Sequence, residues 1–378
     1  MDVLDMALPV ERLLCEKATR LESPIGATFE LTPLCNMDCK MCYVRMSPEE
    51  LRRKGRIRTA DEWLETARQA KAAGLLFLLL TGGEPFLYPE FRRLYEGLKA
   101  MGLFVSINTN GTLLDRETVG WLAKNPPRKL NITLYGASDE TYGRLCGNPH
   151  GFTQVVRALD LCEEFGIQVK INYTVTRENA DDARQILQLI RDRRLESTVA
   201  YYVFPANRKE KTDNSASRLP PEEAARVRIL SEVARLGMQT FINQGRALLM
   251  IEDGTATTDK PPHDTAFTCR AGKSTYWINW QGRMLLCGMT DNMQFDLDEL
   301  GFERCWAALK QAVRATSCSE KCAGCPHETF CARCAASAIA ETGTFEGTPA
   351  YLCRLYDCYI GQIRELVGAL ETAGKMDS

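Results

Sequence analysis

The chain has 378 residues, 45% of them hydrophobic and 25% charged, with a net charge of −2. This is an ordinary globular composition with room for about two domains, and it offers no basic field for nucleic acid or an anionic membrane surface. The longest notable apolar run, residues 75–80, is far too short to cross a bilayer, and residues 1–25 lack a signal peptide's basic start, apolar core and cleavage site; the expected location is cytoplasmic, with neither membrane nor nucleic acid as partner.

Residues 1–24 read as an N-terminal extension. From 25 to 206, short apolar or alternating runs interleave with helical patterns. Strand candidates fall at 27–32, 75–80, 103–108, 129–134, 168–175 and 198–204. Among the helices, Thr59 and Glu62 make a capping box, with Gly74 as the stop. Ala183, Ile186, Leu187 and Ile190 follow helical spacing, as do Phe152, Val155, Val156 and Leu159 ahead of Gly166. Six strand–helix units imply a parallel sheet with right-handed crossovers. Six are too few to close an eight-stranded barrel, so the expected fold is α/β, a partial (β/α)6 TIM-like barrel.

The strands alternate. Val169, Ile171, Tyr173 and Val175 alternate with Gln168, Lys170, Asn172 and Thr174; Leu130, Ile132 and Leu134 alternate with Lys129, Asn131 and Thr133. Period two sends these sets to opposite faces. Helices must cover the apolar face, so the polar face lines a hydrophilic lumen. An antiparallel sheet with one wet face would give the same pattern; the interleaved helices argue against it.

Residues 207–265 form a bridging segment, with loops at 207–217 and 255–264 around a helix from Pro220 to about Leu236. Residues 266–360 make a small cysteine-rich domain. A helix at about 356–370 leads into the C-terminal helix and tail, 361–378.

Sixteen cysteines are unusual here, and in a reducing compartment clustered thiols are more often metal ligands than disulfides. Cys35, Cys39 and Cys42, spaced C-x3-C-x2-C, follow the first strand on a loop at its carboxyl end, where active sites of such folds lie. Three thiolates can hold three irons of a 4Fe–4S cluster and leave the fourth open to a small molecule. A zinc site is the alternative, but it takes four ligands, and no histidine lies nearby to supply the fourth.

This spacing, with Tyr43 after the third cysteine, resembles the radical S-adenosylmethionine (SAM) superfamily. The resemblance implies a 4Fe–4S cluster on Cys35, Cys39 and Cys42 that reductively cleaves SAM to a 5′-deoxyadenosyl radical. The stretch Gly82-Gly83-Glu84-Pro85 after the second strand matches the motif that holds the cofactor's methionine amine in relatives. Glycines let backbone approach, and a carboxylate suits an ammonium. The resemblance also places Asn110, Thr133 and Arg144 near the cofactor; Asn172, with Lys170, faces the same lumen.

The second cysteine region resembles the SPASM extension of peptide-modifying relatives, which implies two auxiliary 4Fe–4S clusters and hence three in all. In the family's interleaved arrangement, Cys269, Cys287 and Cys334 hold the first, and Cys322, Cys325, Cys331 and Cys353 the second. Cys305, Cys318 and Cys358 are left without a role or as a fourth ligand to the first. Structural zinc is again the alternative. Cys15, Cys146 and Cys162 read as ordinary buried cysteines.

The resemblance points to a peptide maturase that oxidises or cross-links a ribosomally made precursor. It would take electrons from an external one-electron reductant of flavodoxin or ferredoxin type. Only about 25 residues precede the first strand, so a separate leader-binding protein is a possible partner. Gly288 stands where sulfatase-maturing relatives carry an aspartate base, which disfavours formylglycine formation. The competing readings are a dehydrogenase or epimerase of a small molecule and a non-catalytic iron–sulfur electron carrier.

Overall fold

The computed structural model describes residues 9–204, 214–256, 266–322 and 333–376, with Cys325, His327 and Cys331. After helix α1 (Pro9–Leu21), the chain lays down β1 (Gly26–Glu30), α2 (Pro48–Lys54), α3 (Ala60–Ala72), β2 (Phe77–Thr81), α4 (Phe91–Ala100), β3 (Phe104–Thr109), α5 (Arg116–Lys124), β4 (Leu130–Thr133), α6 (Asp139–Cys146), α7 (Gly151–Glu164), β5 (Val169–Thr174), α8 (Ala183–Asp192) and β6 (Glu196–Ala200). Strands β1 to β6 are parallel and neighbour one another in chain order. This is the expected partial barrel. Local signals set its helices: Ser47 with Glu50 and Thr59 with Glu62 form complete capping boxes, and Asp115 and Ser138 cap α5 and α6.

The alternation in the strands holds. In β5, Val169, Ile171 and Tyr173 are buried against the helices, while Lys170, Asn172 and Thr174 are only half-buried. The same phase places Asn131 beside Lys170 and Thr133 beside Asn172. Outside the strands, Phe29 stacks on Trp63 of α3 at 4.8 Å, and Ala183, Ile186, Leu187 and Ile190 of α8 are all buried.

The sheet does not stop at six strands. Residues beyond the barrel add β7 (Thr275–Ile278), β8 (Arg283–Leu285) and β9 (Gln294–Asp296). Strand β7 joins the free edge of β1 in parallel, and β8 and β9 follow antiparallel, giving nine strands in the order β6-β5-β4-β3-β2-β1-β7-β8-β9. These strands, three or four residues long, lie within the cysteine-rich region and carry no repeated period of their own. Their turn is still legible: Asn279 accepts from the Gln281 and Arg283 amides, and Gly282 takes φ +85°.

Helices α9 (Pro221–Leu236) and α10 (Met238–Glu252) precede the cysteine-rich region, which carries α11 (Leu297–Leu300), α12 (Phe302–Arg314), α13 (Ala335–Thr342) and α14 (Ala350–Met376). Helix α14 packs on α9 and α10 through Ile360, Ile363 and Val367. It starts six residues before the helix expected at 356, so Cys353 and Cys358 are both helical. The loops expected at 207–217 and 255–264 lie largely outside the described residues. Among the described residues, no helix is long and apolar enough to cross a membrane.

Candidate active site

The Cys35–Cys42 loop leaves the carboxyl end of β1 and is pinned by backbone on two sides. The amides of Asp38 and Lys40 donate to the carbonyls of Cys146 and Leu145 in α6, at 2.9 and 3.0 Å. On the other side, Gly83 and Glu84 donate to Thr32 and Leu34 at 2.7 and 2.8 Å. A Cβ at Gly83 would stand 2.3 Å from the Leu34 carbonyl oxygen, and one at Gly82 2.5 Å from that of Thr32. Only glycines permit this approach of the two loops.

The three sulfurs are close enough to act on one another. Burial pushes the Cys35 thiol up to about 12, and Glu84, Cys39 and Cys42 reinforce the shift. Hydrogen bonds point at the sulfurs: the Met37 amide to Cys35 at 3.4 Å, the Arg45 amide to Cys42 at 3.2 Å, and Asn110 Nδ2 to Cys35 at 3.7 Å. Such donors favour thiolate and tune a bound cluster. Cys39 is buried, with the Cys146 thiol and the Tyr135 hydroxyl in hydrogen-bonding contact with it. Cys146 is buried in the core as expected and also touches Cys39, and neither it nor Tyr135 carries a sequence signal for this position. Three thiols with donors aimed at them form a donor set that fits an iron–sulfur cluster. Among the described residues, no three Cys, His, Asp or Glu side chains converge as ligands of a single metal ion do; a four-iron cluster sets its thiolates further apart than one ion does.

Glu84 is fully buried. Its carboxylate accepts from Thr109 Oγ1 and the Asn110 amide, both at 2.8 Å, and from the Phe86 amide at 3.2 Å. Burial outweighs these bonds and pushes its pKa up to about 7. The carboxylate thus ties the ends of β2 and β3 together beneath the cysteine loop. Asn110 links the same parts: besides Cys35 it reaches Asn36 Oδ1 at 2.8 Å, and its own Oδ1 accepts from Thr112.

Thr133 and Asn172 sit side by side at the upper ends of β4 and β5, facing the lumen. Arg144 does not reach that lumen. It is exposed on α6, donates to the Glu178 carbonyl at 2.8 Å, and pairs with Glu140 at 3.5 Å. One lumen contact escaped sequence analysis: Trp277 of β7 donates through Nε1 to the buried Glu30 at 2.9 Å. Its ring covers Gly288, where a Cβ would stand 2.7 Å from the indole.

In the cysteine-rich region the thiols fall into groups. Burial pushes the Cys331 thiol up to about 12, with Cys353, Cys325 and Cys322 close enough to reinforce the shift. Cys353 is raised by burial and then by Cys322 and Cys325. Cys334 is raised by burial and also acted on by Cys269. Arg333, buried between the groups, donates to the carbonyls of Ala266, Phe345 and Gly347. Cys305 lies apart in the core of α12, its thiol donating to the Asp296 carbonyl. Cys358 faces Glu222 of α9.

Residues 29–190 match the model of the radical SAM superfamily. An AdoMet-dependent heme synthase of Methanosarcina barkeri is 24% identical over 340 residues, covering 85% of this chain and 94% of that protein. The antilisterial bacteriocin subtilosin biosynthesis protein AlbA of Bacillus subtilis is 30% identical over 171 residues, covering 45% of this chain and 37% of its own length. The crystal structure of Streptococcus suis SuiB bound to precursor peptide SuiA superposes with a TM-score of 0.66 at 18% identity, over 92% of this chain and 82% of that one. Residues 29–190 are thus a radical SAM superfamily domain, and the chain shares the fold of SuiB and carries a cysteine-rich C-terminal region.

Proposed function

We propose that Cys35, Cys39 and Cys42 hold a 4Fe–4S cluster, that the 82–85 turn and Asn110 seat SAM against it, and that the chain oxidises or cross-links a peptide. One observation carries the reading: three thiols, with donors aimed at Cys35 and Cys42 and the Tyr135 hydroxyl against Cys39, sit at the mouth of a barrel with a polar lumen. When bound, the cluster and SAM supply a one-electron cleavage whose radical product takes a hydrogen atom from the substrate.

The residues position and shield. Gly82 and Gly83 bring the β2 end against the cysteine loop and expose backbone where the cofactor amine would lie. Glu84 fixes that turn to Thr109 and Asn110; Pro85 holds the turn. Thr133 and Asn172 line the next layer down, where the cofactor's polar groups or the substrate would meet them. Arg144 can serve the cofactor only by leaving Glu178 and Glu140.

The thiol groupings support two auxiliary clusters in the interleaved arrangement, one on Cys322, Cys325, Cys331 and Cys353 and one including Cys269, Cys287 and Cys334. Cys305, whose thiol donates to the Asp296 carbonyl, is disfavoured as the fourth ligand. Peptide chemistry is favoured by the bacteriocin maturation named for AlbA and the precursor peptide bound by SuiB. An external flavodoxin-like or ferredoxin-like reductant and a separate leader-binding protein complete the proposal.

A second reading has its own support. The heme synthase relative aligns over nearly its full length, whereas AlbA aligns over about a third of its own. The small-molecule reading, a dehydrogenase or epimerase, fits that alignment. Reduced protein incubated anaerobically with SAM should release 5′-deoxyadenosine, and replacing the cysteine triad with alanine should abolish it. Mass spectrometry of a co-expressed precursor peptide separates the readings: a mass change that depends on the triad supports the maturase, and an unchanged peptide sinks it.

A further inference from the structure

The foot of the lumen contains a second polar site. A cavity of about 250 Å³ lies between the amino ends of β1 to β5, with Glu11 and Cys15 of α1 on its wall. Four cations line it: Arg128, Lys129, Lys170 and Arg270. Two are matched, Arg128 by Glu11 and Lys129 by Glu196. Lys170 stands opposite the same Glu196 in the β5–β6 register and shares its charge with Lys129, and Arg270 lines the wall near Thr275. Among the described residues, four cations are thus set against two carboxylates, Glu11 and Glu196. Burial and then Lys129 lower the Lys170 pKa, and its cross-strand neighbour Glu196 offsets this only in part, so its ammonium is costly where it stands. A half-closed cavity whose described neighbours are four cations and two carboxylates is one that an anion would stabilise. Ser106 and Asn131 add neutral polar groups to the same wall.

We propose that this pocket binds a carboxylate of the substrate, held between Lys170 and Arg270, and so anchors the substrate from below. The cofactor residues 82–85 and 110 lie at the opposite, carboxyl ends of the strands, so the cofactor's own carboxylate is not the occupant. Lys170 lies two residues below Asn172 in β5, about 7 Å at strand rise. A substrate gripped there presents the carbons above the carboxylate to the Thr133–Asn172 layer and the mouth. A guanidinium and an ammonium together match a carboxylate's two oxygens. An acidic peptide side chain and a small organic acid both carry that group. Calling the anion a substrate rests on the function proposed above; the pocket's charge does not.

The test is calorimetric titration of the full-length, reconstituted protein with glutarate, without SAM or reductant, at constant ionic strength. Glutaramide serves as the neutral control and inorganic phosphate as the competing anion. Glutarate should bind, and Lys170→Met should weaken it about tenfold or more. Lys170→Arg should restore most of the affinity, and Arg270→Gln should weaken it similarly. Iron content and circular dichroism establish that each variant is folded. Equal affinity in wild type and Lys170→Met, no binding to wild type, equal binding of glutaramide, or tighter binding of phosphate would each overturn the carboxylate site. Because no SAM is present, failure here leaves the 5′-deoxyadenosine result untouched, and the reverse also holds.

Discussion

The indole Nε1 of Trp277 donates to the Glu30 carboxylate at 2.9 Å, joining the first strand of the barrel to a strand from the cysteine-rich region 247 positions later in the chain. Glu30 is buried, so this donor offsets the cost of desolvating a carboxylate. The bond also holds the indole across Gly288. Trp277→Phe keeps most of the packing and loses the donor. It should lower stability by about 1–3 kcal/mol, the usual cost of removing a partner from a buried charged group. Chemical denaturation of the two proteins measures it; an unchanged midpoint would mean that the bond contributes nothing.

The cluster loop depends on Gly83 in a different way. Its missing side chain allows the 82–85 turn to lie against Leu34, and an added Cβ would meet the Leu34 carbonyl oxygen at 2.3 Å and its carbon at 2.6 Å. Backbone cannot yield as a flexible side chain can, so Gly83→Ala must push the Cys35 loop away from Glu84. The variant should fold, since the sheet beneath is untouched, but should hold less iron at the triad. Its residual SAM cleavage should fall by at least about tenfold, as when groups supporting a metal ligand are removed. Iron analysis alongside 5′-deoxyadenosine release decides it, and full iron with full activity refutes the steric argument.

The barrel was legible in sequence because period-two alternation and helical spacing are strong signals when six units repeat them. Val169 to Thr174 gave both the strand and the facing of Lys170 and Asn172. The β7–β9 extension was not legible: runs of three or four residues such as Arg283–Leu285 are too short for any period to register. The cysteine triad could be read from spacing alone. Its surroundings could not, because the proximity of Cys146 and Tyr135 to Cys39 arises from the way α6 and the end of β4 fold back on the loop. Arg144 is a different case: its position in the chain gave no sign of the contacts with Glu178 and Glu140 that hold it.

Glu84 gives a pH dependence with a definite sign. Burial raises its pKa from 4.5 to about 7 in the folded protein. Between those values the folded state holds a proton that the unfolded state has released, so stability falls as pH rises through this window and levels off above it. Urea denaturation of cluster-free protein from pH 4.5 to 8 should show this slope in wild type and a shallower one in Glu84→Gln. Parallel pH profiles would mean that the carboxylate is already ionised when folded.

The auxiliary cysteines permit a sharper test than single replacements. Cys331 is acted on by Cys353, Cys325 and Cys322, whereas Cys334, three residues later, is acted on by Cys269. If these are ligands of two separate clusters, Cys331→Ala and Cys334→Ala should each remove one cluster's iron. Combining Cys331→Ala with Cys353→Ala should remove no more than either alone, because one cluster is already lost. Combining Cys331→Ala with Cys334→Ala should remove two. Non-additivity within a group and additivity between groups is what two independent sites require, and iron and sulfide analysis with Mössbauer spectroscopy reads both. Losing all the auxiliary iron on any single replacement would instead mean that the groups form one interdependent site.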